Sequence, residues 1–265
     1  KGDALRLFIG YAGEKLLNCG IFEIDEIELN SPPDIIIVKG LATGIKKSFR
    51  QENSIGYENK TLQQIANEVA KRHNLTLVGD IENIKVERIT QNHERDLTFL
   101  KRVAEEYGYI FKIAEGNLVF YKTEKLINAE SAQIIYKSEV TNARFVEKTS
   151  HTYKSVSVVY RNPKTGKDVT ATAKNPNCVK GDTLKLSVRA ENKQQALLQA
   201  KAALAKGNYT IEGSLSMPGN PYLVAGLNAE LKDLGYFSGK YHITEVHHII
   251  DKTSGYATSL EVKSC

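Results

Sequence analysis

The sequence contains no tryptophan, and only three cysteines, Cys19, Cys178 and Cys265, in 265 residues. Three scattered thiols do not make a disulfide scaffold or a cysteine-based zinc site, and they fit a reducing compartment. The absence of tryptophan weighs against a sugar-binding cleft, which usually offers an aromatic platform. No apolar stretch approaches the ~20 residues needed to cross a bilayer as a helix. No catalytic signature survives inspection either: there is no G-x-S-x-G nucleophile elbow, no Walker A loop and no H-E-x-x-H helix. The chain begins on Lys1 rather than methionine, so the lack of a signal peptide at this end carries no weight.

What is present is ordinary for a soluble globular protein, with 41% hydrophobic and 25% charged residues, and this excludes disorder over most of the chain. The length suits one large domain or two to three small ones. The net charge is +5, and residues 122–265 hold 20 basic against 13 acidic side chains, so the basic surplus lies wholly in that part. Without a dense basic run, such a surplus reads as a solvated surface before it reads as a polyanion site.

Patterning divides the chain into three. Residues 1–50 alternate as strands: Leu5, Leu7 and Ile9, then Ile21 to Leu29, then Ile35 to Val38 after the Ser31-Pro32-Pro33-Asp34 break. Three strands alone leave open edges, so another chain or preceding residues should complete this sheet. Residues 51–122 change to a small α+β domain. Thr61 and Gln64 form a capping box, with Leu62, Ile65, Ala66 and Val69 on one helical face and Asn74 ending the helix. A short strand is expected over Ile84–Ile89. A second helix presents Leu97, Leu100, Val103, Ala104 and Tyr107, with Glu94 and Asp96 at its start and Gly108 past its end. A hairpin over Tyr109–Ile113 and Leu118–Tyr121 closes this part. Residues 123–265 return to strands: Ser155–Tyr160 with Asp168–Ala173, one helix capped by Asn192, then Tyr209–Ser216, Tyr222–Leu231, Lys240–Ile250 and Tyr256–Lys263.

Candidate chemistry is sparse. His242 and His248 lie six apart on one strand and should share a face, with His247 on the other, but spacing places no third metal ligand. The pairs Glu94 with Asp96 and Glu105 with Glu106 are the carboxylates a glycosidase would need, though each also suits a helix terminus or an exposed helix side. Tyr153, Tyr160, Tyr209, Tyr222, Tyr236 and Phe237 in the basic part would serve single-stranded nucleic acid only if two or three shared an exposed sheet face.

Two segments carry a resemblance. Gln91-Asn92-His93-Glu94-Arg95-Asp96-Leu97-Thr98-Phe99-Leu100-Lys101-Arg102-Val103-Ala104-Glu105-Glu106-Tyr107-Gly108 resembles the Q-x-x-E-S-D-x-x-F-L-x-R-L-A-E-x-x-G segment of the phage late-control D family. These are baseplate hubs of contractile tails, related to the N-terminal part of the type VI secretion spike protein VgrG. Gly239-Lys240-Tyr241-His242-Ile243-Thr244-Glu245-Val246-His247-His248, followed by Gly255-Tyr256-Ala257-Thr258-Ser259-Leu260-Glu261, looks like that family's closing G-x-Y-x-I-x-x-V-x-H and G-Y-x-T-x-L-E strands. Arg95 stands where the family pattern has serine. The matched motif positions are Glu94, Asp96, Phe99, Leu100, Gly108, Gly239, His247 and Gly255, in structural roles.

The resemblance implies an α+β, mainly β chain. Two similar β-barrel-like domains (residues 1–50 and 123–265) would flank the inserted α+β domain (51–122), with the first barrel incomplete at its N-terminus. It implies a homotrimeric ring of pseudo-sixfold symmetry that joins the tail tube to the central spike in the virion baseplate, after assembly in the bacterial cytoplasm. No enzymatic activity, cofactor, metal or membrane segment is expected, and DNA enters only as a passenger through the lumen. The rival readings are a tail-associated cell-wall hydrolase and a nucleic-acid-binding module.

Overall fold

The computed structural model describes residues 3–42, 49, 51–114, 116–147, 153–161, 165–176, 178, 181–207, 211–253 and 255–265. Tyr209, His151 and residues 162–164, which join the predicted strands Ser155–Tyr160 and Asp168–Ala173 in sequence, lie outside these residues. The chain is mainly β, as expected, and has four α-helices among the described residues where the patterning predicted three. It divides into two compact units: Lys1–Arg102 with Phe111–Phe120, and Val103–Ile110 with Tyr121–Cys265.

In the first unit, β1 (Ala4–Ile9), β2 (Leu17–Asn30) and β3 (Ile35–Ala42) form an antiparallel meander in that order. β4 (Glu52–Thr61) pairs antiparallel with β6 (Lys85–Arg95). Between them stands α1 (Leu62–Arg72), which starts at the expected capping box: Gln64 N–H donates to Thr61 Oγ1, and Thr61 N–H donates to Gln64 Oε1. Leu62, Ile65, Ala66, Val69 and Ala70 are buried on its inner face. β5 (Thr76–Gly79) runs parallel to β8 (Asn117–Lys122), which neighbours β7 (Tyr109–Ala114). β6 is longer than the predicted Ile84–Ile89. It extends through Arg95, so Glu94 is a strand residue, and α2 (Asp96–Glu106) begins at Asp96. Pairing with β4 as far as Glu52↔Arg95 extends the strand where local helix signals alone would have ended it.

The second unit holds two separate cores. A six-stranded sheet has the order β10 (Asn142–Glu147), β14 (Ile211–Pro218), β17 (Gly255–Ser264), β16 (Gly239–Asp251), β15 (Asn228–Lys232), β9 (Gln133–Tyr136). Its core contains Ile135, Leu215, Met217, Leu223, Leu231, Tyr241, Ile243, Leu260 and Val262. The short helix α3 (Thr123–Asn128) precedes β9. The other core lies between α4 (Lys193–Gly207) and a three-stranded sheet of β12 (Asp168–Lys174), β11 (Ser155–Arg161) and β13 (Thr183–Leu186). Ala196, Ala200 and Leu204 of α4 meet Val156, Val158, Ala171 and Ala173 there. Small alanines let helix and sheet approach closely. Gln195 N–H donates to Asn192 Oδ1 at 2.9 Å, the expected cap.

The predicted strand Tyr222–Leu231 is a strand only from Asn228. Before that, Asn220 draws the chain into a turn, with Tyr222 N–H donating to its side chain and Leu223 N–H to its carbonyl. Leu223 is thereby planted in the core.

Candidate assembly surface

The Glu94–Gly108 motif folds around one carboxylate. Asp96 opens α2 and is wholly buried. Arg72 from the last turn of α1 reaches both its oxygens at 2.7 Å, His73 Nε2 lies 2.7 Å from Oδ2, and Gln91 and Asn53 donate to Oδ1 at 2.7 and 3.0 Å. Burial alone would raise this carboxyl's pKa, but the hydrogen bonds from Gln91 and His73 together with the Arg72 guanidinium outweigh it and hold it below its ordinary value. Asp96 thus ties β4, β6, α1 and α2 together. Phe49 stacks on the His73 ring with centroids 3.5 Å apart. Phe99 and Leu100 are fully buried, and Phe99 stacks on Tyr57 at 5.2 Å.

Glu94 instead faces Arg102, which binds both its oxygens at 3.0 and 2.8 Å; that hydrogen bonding lowers the Glu94 pKa. Gly108 has φ +75, and a Cβ there would lie 3.3 Å from that of Ala202. Glu105 bonds Lys206 at 2.7 Å. Glu94, Asp96 and Glu105 are therefore committed to ion pairs, as structural residues would be.

The histidine expectation fails for a geometric reason. In β16, Ile243 pairs with Val262 and Glu245 with Glu261, so Thr244 is an extra, bulged residue. The bulge reverses the alternation beyond it. His242 and His247 consequently share a face, and His248 lies on the other. His242 is buried, where desolvation lowers its pKa, and bonds Asn228 Oδ1 at 2.8 Å. His248 contacts Thr258, Tyr256 and the Leu223 carbonyl, and His247 is exposed beside Glu245. Among the described residues no cluster of three His, Cys, Asp or Glu could hold a metal ion. The expected aromatics also disperse: Tyr153 and Tyr160 pack on the α4 core, while Tyr236 and Phe237 form an edge contact at 5.3 Å and Phe237 stacks on Phe145. Gly239 and Gly255 adopt φ +143 and +70 at the start of β16 and of β17.

A larger feature lies in the β1–β2–β3 meander. Here too a residue is bulged: Ile24 pairs with Gly40 and Glu26 with Lys39, which leaves Asp25 extra. Following the register across this bulge puts Leu5, Leu7, Phe22, Ile24, Ile27, Leu29, Ile36, Val38 and Ala42 on one face. Among the described residues no charged side chain interrupts it. Ile27, Leu29 and Ile36 are 67%, 66% and 68% exposed. Burying an aliphatic side chain fully contributes about 1.5–3 kcal/mol, so a face of this size is a strong drive toward a covering surface.

The same three-strand pattern recurs in the second unit. Gly20-Ile21-Phe22-Glu23-Ile24-Asp25-Glu26-Ile27 matches Gly239-Lys240-Tyr241-His242-Ile243-Thr244-Glu245-Val246 as G-x-aromatic-x-I-x-E-aliphatic. Both glycines have positive φ, and both bulges fall at the same place. The partners correspond as well: Leu7↔Gly20 with Leu231↔Gly239, Leu5↔Phe22 with Ala229↔Tyr241, and Ile27↔Val38 with Val246↔Leu260. In the second unit the equivalent face, with Ala229, Leu231, Tyr241, Ile243, Leu260 and Val262, is the buried core. Residue reasoning missed this repeat, although the G-x-aromatic-x-I-x-E signal was legible.

The sequence profile of the family described as phage tail baseplate hub (GPD) matches residues 47–254. A probable baseplate hub protein of Escherichia phage 186 is 29% identical over 136 residues, which cover 51% of this chain and 35% of that protein. Its counterpart in Escherichia phage P2 is 27% identical over the same shares. The matched segment thus spans about a third of these relatives' length. Among solved structures, a tail protein from Neisseria meningitidis MC58 has a TM-score of 0.73 at 14% identity, covering 94% of this chain and 81% of that one. The 43 kDa tail protein of prophage MuSo2 from Shewanella oneidensis gives 0.70 at 14% identity, covering 98% and 89%. An E. coli component of the type VI secretion system gives 0.63 at 14% identity, covering 97% and 63%.

Proposed function

Because the chain belongs to the phage tail baseplate hub (GPD) family, we propose that it is a structural hub of a contractile-tail baseplate. In this reading three copies close into a ring of pseudo-sixfold symmetry, with the tail tube on one side and the central spike on the other. The observation that carries the reading is the duplicated meander. One copy of the pattern has its apolar face buried in a six-stranded sheet, and the other presents the same face to solvent.

Two sibling β-rich portions per chain are what a threefold ring needs to present six similar modules. Closing the ring covers apolar faces and sheet edges that would otherwise promote open-ended association. The hub acts through shape and contact, without a reaction of its own. The ion pairing of Glu94, Asp96 and Glu105 favours that role over a glycan hydrolase. DNA is a passenger through the lumen.

Sedimentation of the full chain at high concentration tests the ring. A three-copy species supports it, and a chain that stays monomeric throughout contradicts it.

A further inference from the structure

The three-stranded sheet β12–β11–β13 has one face under α4 and one without a covering layer among the described residues. The ladder pairings assign each residue to a face. Val156, Val158, Tyr160, Val169, Ala171, Ala173, Leu184 and Leu186 all point to the α4 core. The opposite face carries hydroxyls and cations, with Ser155 itself buried against Thr183. Lys174 pairs with Ser155, which pairs with Thr183; Thr172 pairs with Ser157, which pairs with Lys185; Thr170 pairs with Val159, and Asp168 with Arg161. Lys174, Lys185 and Arg161 are exposed, and none has an acidic partner among the described residues within ion-pair distance. Among the described residues Asp168 is the one acid on this face.

We propose that this face is a sequence-independent contact surface for the backbone of double-stranded nucleic acid. Its donors, lysine, arginine, serine and threonine, are those that bind phosphate oxygens. Three exposed cations on one sheet face, with hydroxyls between them, suit the phosphate oxygens of a nucleic-acid backbone. Two features select a duplex over other polyanionic partners. Among the described residues the face presents no aromatic side chain on which an unpaired base could stack, because Tyr160 points to the α4 core. Among the described residues its single exposed apolar side chain, Val159, gives a lipid bilayer nothing substantial to take up.

The test is fluorescence anisotropy of a short labelled DNA duplex with the full chain, read from about 50 to 200 mM salt. Each neutralised phosphate steepens the fall of log affinity with log salt by about 0.9, so three cations predict a slope near −2.7. The double variant Lys174→Gln with Lys185→Gln should flatten the slope by about 1.8 and weaken binding at the lowest salt. Both side chains are exposed, so melting by circular dichroism should be unchanged. The double variant Lys101→Gln with Lys252→Gln, equally exposed but elsewhere, should leave slope and affinity as they were. The proposal is overturned by no binding at the lowest salt, by an equal loss in the second pair, or by retention on phosphatidylserine vesicles without any on DNA.

Discussion

Replacing Asp96 with alanine should loosen the first unit by about 3 kcal/mol. The carboxylate is wholly buried and accepts from Arg72, His73, Gln91 and Asn53. Removing it strands the His73 and Gln91 donors in a buried setting, at about 1–3 kcal/mol each in general. Breaking a buried charge pair typically costs about 3–5 kcal/mol. The Arg72 side chain is 31% exposed and can turn toward water, which places the total at the lower end of that range.

Hydrogen exchange resolved by mass spectrometry is the suitable assay, because a two-unit chain need not unfold in one step. Amides of α1 and α2 should exchange roughly 150-fold faster, since each ~1.4 kcal/mol is a factor of ten. Lys60→Ala, which breaks only the partly exposed pair with Glu68, should change exchange by about fivefold at most. If Asp96→Ala exchanges no faster than the Lys60 variant, the role assigned to this carboxylate is wrong. The pH dependence follows with a definite sign. The folded pKa lies below the unfolded value of about 3.9, so the stabilisation is complete above that pH and is lost as pH falls through the folded pKa. Asp96→Asn should remove this part of the acid slope.

Gly108→Ala should cost about 1 kcal/mol or more, because the residue has φ +75 and the new Cβ would press on Ala202; a lower melting temperature of the second unit is the readout. Gly213→Ala should cost about 1–3 kcal/mol, since a Cβ would lie 2.5 Å from the Phe145 ring, and a urea midpoint equal to wild type would show that the ring moves freely. Burial lowers the His242 pKa, so the unfolded chain takes up a proton first and the second unit should weaken as pH drops below about 6.5. His242→Gln should shrink the difference between urea midpoints at neutral and mildly acidic pH, with His248 supplying the remainder. Ile27→Lys combined with Ile36→Lys should abolish self-association without lowering the melting temperature, because both side chains are largely solvent-exposed in the single chain.

The sequence was most informative where the interactions are local. The capping box at Thr61, the Asn192 cap and the stop at Gly108 each depend on a few adjacent residues, and all appear in the structure. Period-two reading failed at Thr244, because one bulged residue reverses every later position and separates His242 from His248. β4 escaped notice because Glu52-Asn53-Ser54-Ile55-Gly56-Tyr57-Glu58-Asn59-Lys60 is polar and finds its strand form by pairing with β6. The Asp96 cluster was hidden for a related reason, since Asn53, Arg72 and His73 reach it from distant parts of the chain. The repeat of the G-x-aromatic-x-I-x-E segment was legible but thinly spread, with few identities across a long separation.

The most direct test of the hub account is cryo-electron microscopy of an assembled tail carrying this chain. The account predicts three copies at the junction of tube and spike, with the β1–β3 and β15–β17 meanders alternating around the axis as equivalent modules and the Ile27, Leu29 and Ile36 face covered. Six copies, a position away from that junction, or a β1–β3 face still open to solvent in the assembled particle would contradict it.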